Sequence, residues 1–173
     1  MEVVISMIIR EATLSDAEGV AKVHVDCWRT TYKDIISDDF LDNLSYEQRT
    51  KLWISNISRD DNYIFIVEIE GKIIGFADGG SEKSGKYPDY DGDVTSIYIL
   101  EEYQGHGIGK KLLTRLFDKF KTLKLGSSIV KVLEENGSCR FYEAMGAELI
   151  DSSKFVQIGN DKLKLLVYGW RDL

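Results

Sequence analysis

The sequence predicts a mixed α/β fold: a central, mostly antiparallel sheet of seven strands flanked by about four helices. Three observations lead there. The periodic segments run in the order β-α-α-β-β-β-α-β-α-β-β. The strands 63–70 and 73–79 are joined tightly through Gly71-Lys72, a hairpin that makes their pairing antiparallel. A glycine-rich turn at Gly105, Gly107 and Gly109 then separates a strand from an amphipathic helix.

Taken in order, Ile8-Ile9-Arg10 is a short apolar strand. Ser15-Asp16-Ala17-Glu18 reads as a capping box opening a helix. On it, Ala17, Val20, Ala21, His24, Cys27, Trp28 and Thr31 share one face. His24, Trp28 and Tyr32 fit two readings, core packing or the wall of a wet pocket. Ser37-Asp38-Asp39-Phe40-Leu41 is a short capped helix, and Ser45-Tyr46-Glu47-Gln48 starts another that runs to about Ile57. The hairpin follows, rich in β-branched and aromatic residues. The polar loop 82–92 holds Pro88 and is expected to be a mobile rim. Strand 93–100 leads to the glycines. In the next helix Ile108, Leu112, Leu116 and Phe120 make the apolar stripe, with Lys110, Lys111 and Arg115 opposite. A buried strand, 129–133, precedes the turn Glu134-Glu135-Asn136-Gly137-Ser138. Asn136 or Ser138 is placed to cap a helix from Cys139 to Met145, which Gly146 ends. Strands 147–158 and 163–170 close the chain around Gly159-Asn160-Asp161.

Composition narrows the function classes. A chain of 173 residues is read as one domain, residues 1–173, with its core from about residue 7. The two cysteines, Cys27 and Cys139, make no disulfide framework, so a reducing compartment is expected. No apolar run approaches the ~20 residues that span a bilayer, and Met1-Glu2-Val3-Val4-Ile5-Ser6-Met7 lacks the basic start of a signal peptide. A cytoplasmic protein is the expectation, with Met7 an alternative start to Met1. A net charge of −7 argues against a nucleic-acid partner and permits a cationic small molecule. His24 and His106 are too few for a metal site.

The glycine turn implies an anion. Glycines let backbone approach a ligand closely, and the free N–H groups of a first helical turn favour negative charge. The spacing fits neither a P-loop, which needs Gly-x4-Gly-Lys-Ser/Thr, nor the G-x-G-x-x-G of a dinucleotide fold. Lys110 and Lys111 stand either near phosphates or on a solvated basic face.

Gln104-Gly105-His106-Gly107-Ile108-Gly109 resembles the Gln/Arg-x-x-Gly-x-Gly/Ala signature of the GCN5-related N-acetyltransferase superfamily. Ile97-Tyr98-Ile99 looks like that family's strand before the loop. The segment 136–146, containing Phe141-Tyr142-Glu143-Ala144-Met145-Gly146, resembles its Asn…Phe-Tyr-Glu-x-x-Gly motif, and the element order matches over about residues 7–173.

The resemblance implies acetyl transfer from acetyl-CoA to a primary amine of a small molecule or peptide, with no metal. It implies a bulge that splays the fourth strand from the fifth. Acetyl-CoA would lie in that opening, on Ile97, Tyr98, Ile99, Gln104, Gly105, His106, Gly107, Ile108, Gly109, Lys110, Asn136 and Tyr142. Tyr142 resembles the acid that protonates the leaving thiolate, and Asp93 stands where relatives often carry a carboxylate, with Glu68 competing as the base. Trp28, Tyr32 and Tyr98 would wall the acceptor, and Asp91 and Asp93 would suit a cationic amine. A homodimer is compatible with the resemblance. A non-catalytic acyl-CoA binding module on the same fold, or a nucleotide-binding protein, stands as the alternative.

Overall fold

The computed structural model describes residues 6–173. Residues 1–5, on which part of the leader reading rests, lie outside them. The elements are β1 (Met7–Glu11), α1 (Ala17–Thr31), α2 (Asp38–Asp42), α3 (Tyr46–Ile57), β2 (Tyr63–Ile69), β3 (Lys72–Ser81), β4 (Gly92–Ile99), α4 (Ile108–Thr122), β5 (Ser128–Leu133), α5 (Ser138–Ala144), β6 (Glu148–Ile158) and β7 (Asp161–Trp170). The described residues hold five α-helices, the short capped one expected at 37–41 among them as α2.

One local detail departs from expectation. The capping box before α1 lies earlier than Ser15: Asp16 accepts from the Thr13 backbone N–H at 2.7 Å and from its hydroxyl at 3.2 Å. Asp16 also pairs with Arg10 at 2.8 Å, so it ties β1 to the helix start. The loop 82–91 bonds to itself through its own polar groups. Glu82 accepts from the Ser84 and Gly85 N–H groups, and its own N–H donates to the Asp91 carbonyl at 2.8 Å.

The sheet order is β1-β2-β3-β4-β5-β7-β6. Every neighbouring pair is antiparallel except β4–β5. That parallel contact is short: Gly92, Asp93 and Val94 pair with Ser128, Ile129 and Val130, and pairing then stops. The cause sits on β4. Its register against β3 jumps from Gly79↔Val94 to Asp78↔Ser96, leaving Thr95 as an extra residue. A bulge bends its strand and increases the local twist, so β4 leaves β5 just past Thr95.

Helices cover both faces. On one, Trp53 of α3 and His24 of α1 meet Phe76 of β3. On the other, α4 buries Leu112, Leu113, Leu116 and Phe120. Phe117 of α4 and Tyr142 of α5 both pack edge-on against Trp170 of β7. The His24 ring is buried and accepts from Trp53 Nε1 at 3.0 Å. Of its two readings, core packing is the one observed.

Candidate active site

Beyond Thr95 the two parted strands leave a cavity of about 740 Å³. Ile97, Tyr98 and Ile99 of β4 form one wall, and Asn136, Gly137 and Ser138 start the other. Gln104, Gly105, Gly107, Ile108, Gly109 and Lys110 close one end. His106 and Tyr142 are not on its wall, nor are Asp93, Trp28 and Tyr32. Sequence reasoning missed Cys27 and Thr31, which line the cavity one helical turn apart on α1, and Phe141 and Met145 on the α5 side. Cys27 and Thr31 share the α1 face for which a pocket wall was one expected reading; which of its residues reach the cavity was not legible.

The backbone of β4 is arranged for a strand-like ligand. Leu100 N–H donates to the Ile74 carbonyl at 2.9 Å, which sets the phase of the β3–β4 ladder. Hydrogen-bonded pairs alternate in an antiparallel ladder. Tyr98 therefore bonds β3, while Ile97 and Ile99 turn their N–H and C=O groups toward the cavity. The Ile99 carbonyl accepts from Gln104 Nε2 at 2.9 Å.

The three glycines serve different purposes. Gly105 and Gly107 have φ of +78° and +77°, a left-handed backbone that side chains strain. Gly107 is also the N-cap of α4, so the first free N–H groups of a fifteen-residue helix start there. Gly109 matters for packing: a Cβ on it would stand 3.3 Å from the Phe141 ring.

Beside the cavity, a hydrogen-bonded network joins α1, β4 and the β5–α5 turn. Trp28 Nε1 donates to the Tyr98 hydroxyl at 3.0 Å. Asn136 Nδ2 donates to the Tyr32 hydroxyl at 3.1 Å, and Asn136 Oδ1 accepts from Ser138 N–H at 2.9 Å. Burial raises the Tyr98 and Tyr32 phenols above their ordinary value. Tyr142 is 4% exposed; burial raises its phenol too, with Tyr32 and Cys139 nearby adding to the shift. All three stay protonated at neutral pH. Burial pushes the Cys27 thiol up to about 12, so it is no nucleophile at neutral pH.

The carboxylates sort clearly. Glu68 is held by Arg10 at 2.9 Å on the β1 side of the sheet, away from the cavity. Asp91 braces a turn: its N–H donates to Ser127 Oγ at 2.9 Å and its Oδ2 accepts from Gly126 N–H at 3.4 Å. Asp93 sits within the last paired stretch before the strands part. It is half-buried, and burial raises its carboxyl, with Lys131 opposing and Glu82 reinforcing.

Comparison with known proteins settles the family. The model of the acetyltransferase (GNAT) family matches residues 21–147. The chain belongs to the GNAT acetyltransferase family. It is an N-acetyltransferase, and its chemistry is acyl transfer. An uncharacterized N-acetyltransferase of Bacillus subtilis, YuaI, is 39% identical over 95% of this chain and 93% of its own length. A spermine/spermidine N(1)-acetyltransferase of the same organism is 31% identical over 60% of this chain and 71% of its own. Among solved structures, the PaiA N-acetyltransferase of Thermoplasma acidophilum in complex with coenzyme A superposes with a TM-score of 0.78. It covers 95% of this chain and 99% of its own at 20% identity, a likeness of fold. Among the described residues, no helix is long and apolar enough to cross a membrane.

Proposed function

We propose that this GNAT acetyltransferase moves the acetyl group of acetyl-CoA to a primary amine of a small cationic molecule. One observation carries the reading. The cavity pairs a strand with two outward-facing backbone positions, Ile97 and Ile99, with the amide-rich start of α4 at one end. A pantetheine arm has the amide groups for the first, and a pyrophosphate suits the second. Gly105, Gly107 and Lys110 would hold the phosphates, and Gln104 would release the Ile99 carbonyl or share it. Asn136, held by Tyr32, would meet the pantetheine from the opposite wall.

Acetyl-CoA supplies the activated acyl group. The chain must deprotonate the amine and protonate the leaving thiolate. Asp93 takes the first role in this reading and Tyr142 the second, its phenol kept protonated by burial. Trp28, Tyr32 and Tyr98 shape the acceptor side. A cationic acceptor is supported by the net charge of −7 and by the spermine/spermidine-acetylating relative.

The test is thiol release from acetyl-CoA against spermidine, neutral monoamines and a peptide N-terminus. Polyamine turnover should exceed that of neutral amines, and Tyr142→Phe should lower kcat about 100-fold with acetyl-CoA binding intact. Turnover of the peptide alone would move the acceptor class. Tight CoA binding with no turnover for any amine would make the chain a binding module. Thermal stabilisation by ATP or NAD but not by CoA would defeat the cofactor assignment.

A further inference from the structure

β3 carries one carboxylate in an apolar run. Asp78 follows Ile74, Phe76 and Ala77 and is 2% exposed. Its Oδ2 accepts from Asn62 Nδ2 at 3.2 Å; its Oδ1 has no donor within hydrogen-bond geometry, although the Ser96 hydroxyl across the strand is near enough to lower its proton affinity. A buried acceptor left unpaired is costly, and native proteins rarely keep one without a use.

Its position suggests the use. Phe76 and Asp78 alternate onto the same sheet face, the one covered by α1 and α3. Asp93 pairs with Gly80, and Ser96 pairs with Asp78. Residues 93 and 96 would face opposite ways on a regular strand. The extra residue at Thr95 brings both onto the face of Asp78. Asp78 and Asp93 are thus diagonal neighbours on adjacent strands, a relation that places Cα atoms about 7–8 Å apart. They flank the bulge that opens the cavity.

We propose that Asp78 is a positioning residue for the amine-deprotonating carboxylate: with Asp93 it forms a linked carboxyl pair across the bulge, Asp93 meeting the amine and Asp78 standing behind it. The inference rests on the acetyl-transfer reading and on Asp93 as its base. In the step, an N–H bond of the ammonium breaks, the electron pair stays on nitrogen, and an O–H bond forms on Asp93. An ordinary carboxylate near 4 is a weak base for an alkylammonium near 10. A second carboxylate behind it raises its proton affinity.

Burial raises both carboxyls, and the charge linkage is seen from the Asp78 side. Burial pushes Asp78 up to about 6, with Asp93 adding and Asn62, Ser96 and Arg59 opposing. Asp93 is raised by burial, against Lys131 and with Glu82.

Carboxyl-carbon NMR titration of the full chain with labelled aspartate tests the pair. Asp78→Asn should lower the midpoint of Asp93, and Asp93→Asn should lower that of Asp78, each by about one pH unit. The acid limb of kcat/KM should move to lower pH in Asp78→Asn with acetyl-CoA binding unchanged. If Asp78→Asn does not fold, the half-buried Asp93→Asn still reports the linkage. Midpoints that stay put in an active enzyme overturn the pair. Linked midpoints with an unmoved acid limb overturn the positioning role. A wild-type chain that acetylates no amine defeats the acetyl-transfer reading instead.

Discussion

Gly107 concentrates two requirements in one residue. Its φ of +77° excludes β-branched side chains without strain, and its place as N-cap of α4 puts the free helical N–H groups beside it. Left-handed backbone costs a residue with a Cβ roughly 1–2 kcal/mol, more for a branched one. Gly107→Val should therefore raise KM for acetyl-CoA about tenfold or more, read from initial rates. His106 is exposed, with only its Nδ1 near the Gln104 carbonyl at 2.8 Å, so His106→Ala should leave KM within about twofold. Gly107 was legible in sequence because turn chemistry is local. Asp78 was not singled out, although a carboxylate inside Ile73-Ile74-Gly75-Phe76-Ala77-Asp78 breaks an apolar run and marks it.

Helices α4 and α5 meet where Gly109 faces Phe141, and this contact borders the cavity. A Cβ at 3.3 Å from the ring is close enough that the ring must give slightly, and further carbons would push α5 outward. Gly109→Val should weaken acetyl-CoA binding, measured by calorimetry. Adding Phe141→Ala should restore part of it, because removing the ring makes room for the new side chain; additive losses would show that the two sites are uncoupled. On the other face, Trp53 is 2% exposed and donates to His24 across the α1–α3 contact. Both helices were expected, α1 from a capping signal and one apolar face, α3 from its Ser45-x-x-Gln48 capping box. That they would seal a histidine between Trp53, Phe76 and Tyr98 was not, since periodicity names a buried face without naming what covers it.

Across the molecule, two buried groups pull stability in opposite directions with pH. His24 is lowered to about 4 by burial, with Arg49 adding. Its unfolded value is near 6.5, so its contribution is present above pH 6.5 and is lost as pH falls toward 4. Asp78 is raised to about 6 from an unfolded value of 3.8; folding favours its neutral form, and stability falls as pH rises from 4 to 6. Each effect is of the order of 3 kcal/mol, so they largely offset between pH 4 and 6.5. Asp93, raised by burial in the same sense, adds to the Asp78 side, so wild-type melting temperature should vary less in that window than that of either single variant. In Asp78→Asn it should climb with pH, and in His24→Phe it should fall with pH. Parallel profiles for all three proteins would refute the assignment.

The strands, the capped helices and the glycine turn are all legible in the sequence, because hydrophobic period and turn residues act within a few positions of the chain. The family motifs were legible for the same reason: Gln104, Gly107 and Gly109 lie within one loop. Tertiary structure decided the rest. It limited β4 and β5 to three paired residues and set the bulge at Thr95. It joined Tyr32 to Asn136, 104 residues away, and Trp28 to Tyr98, 70 away. It put Asp78 and Asp93 on one face and drew Cys27 and Thr31 of α1 to the cavity. These relations depend on strand register and helix docking. A shift of one residue in register exchanges every side chain between faces, and local pattern alone does not set where such a shift falls.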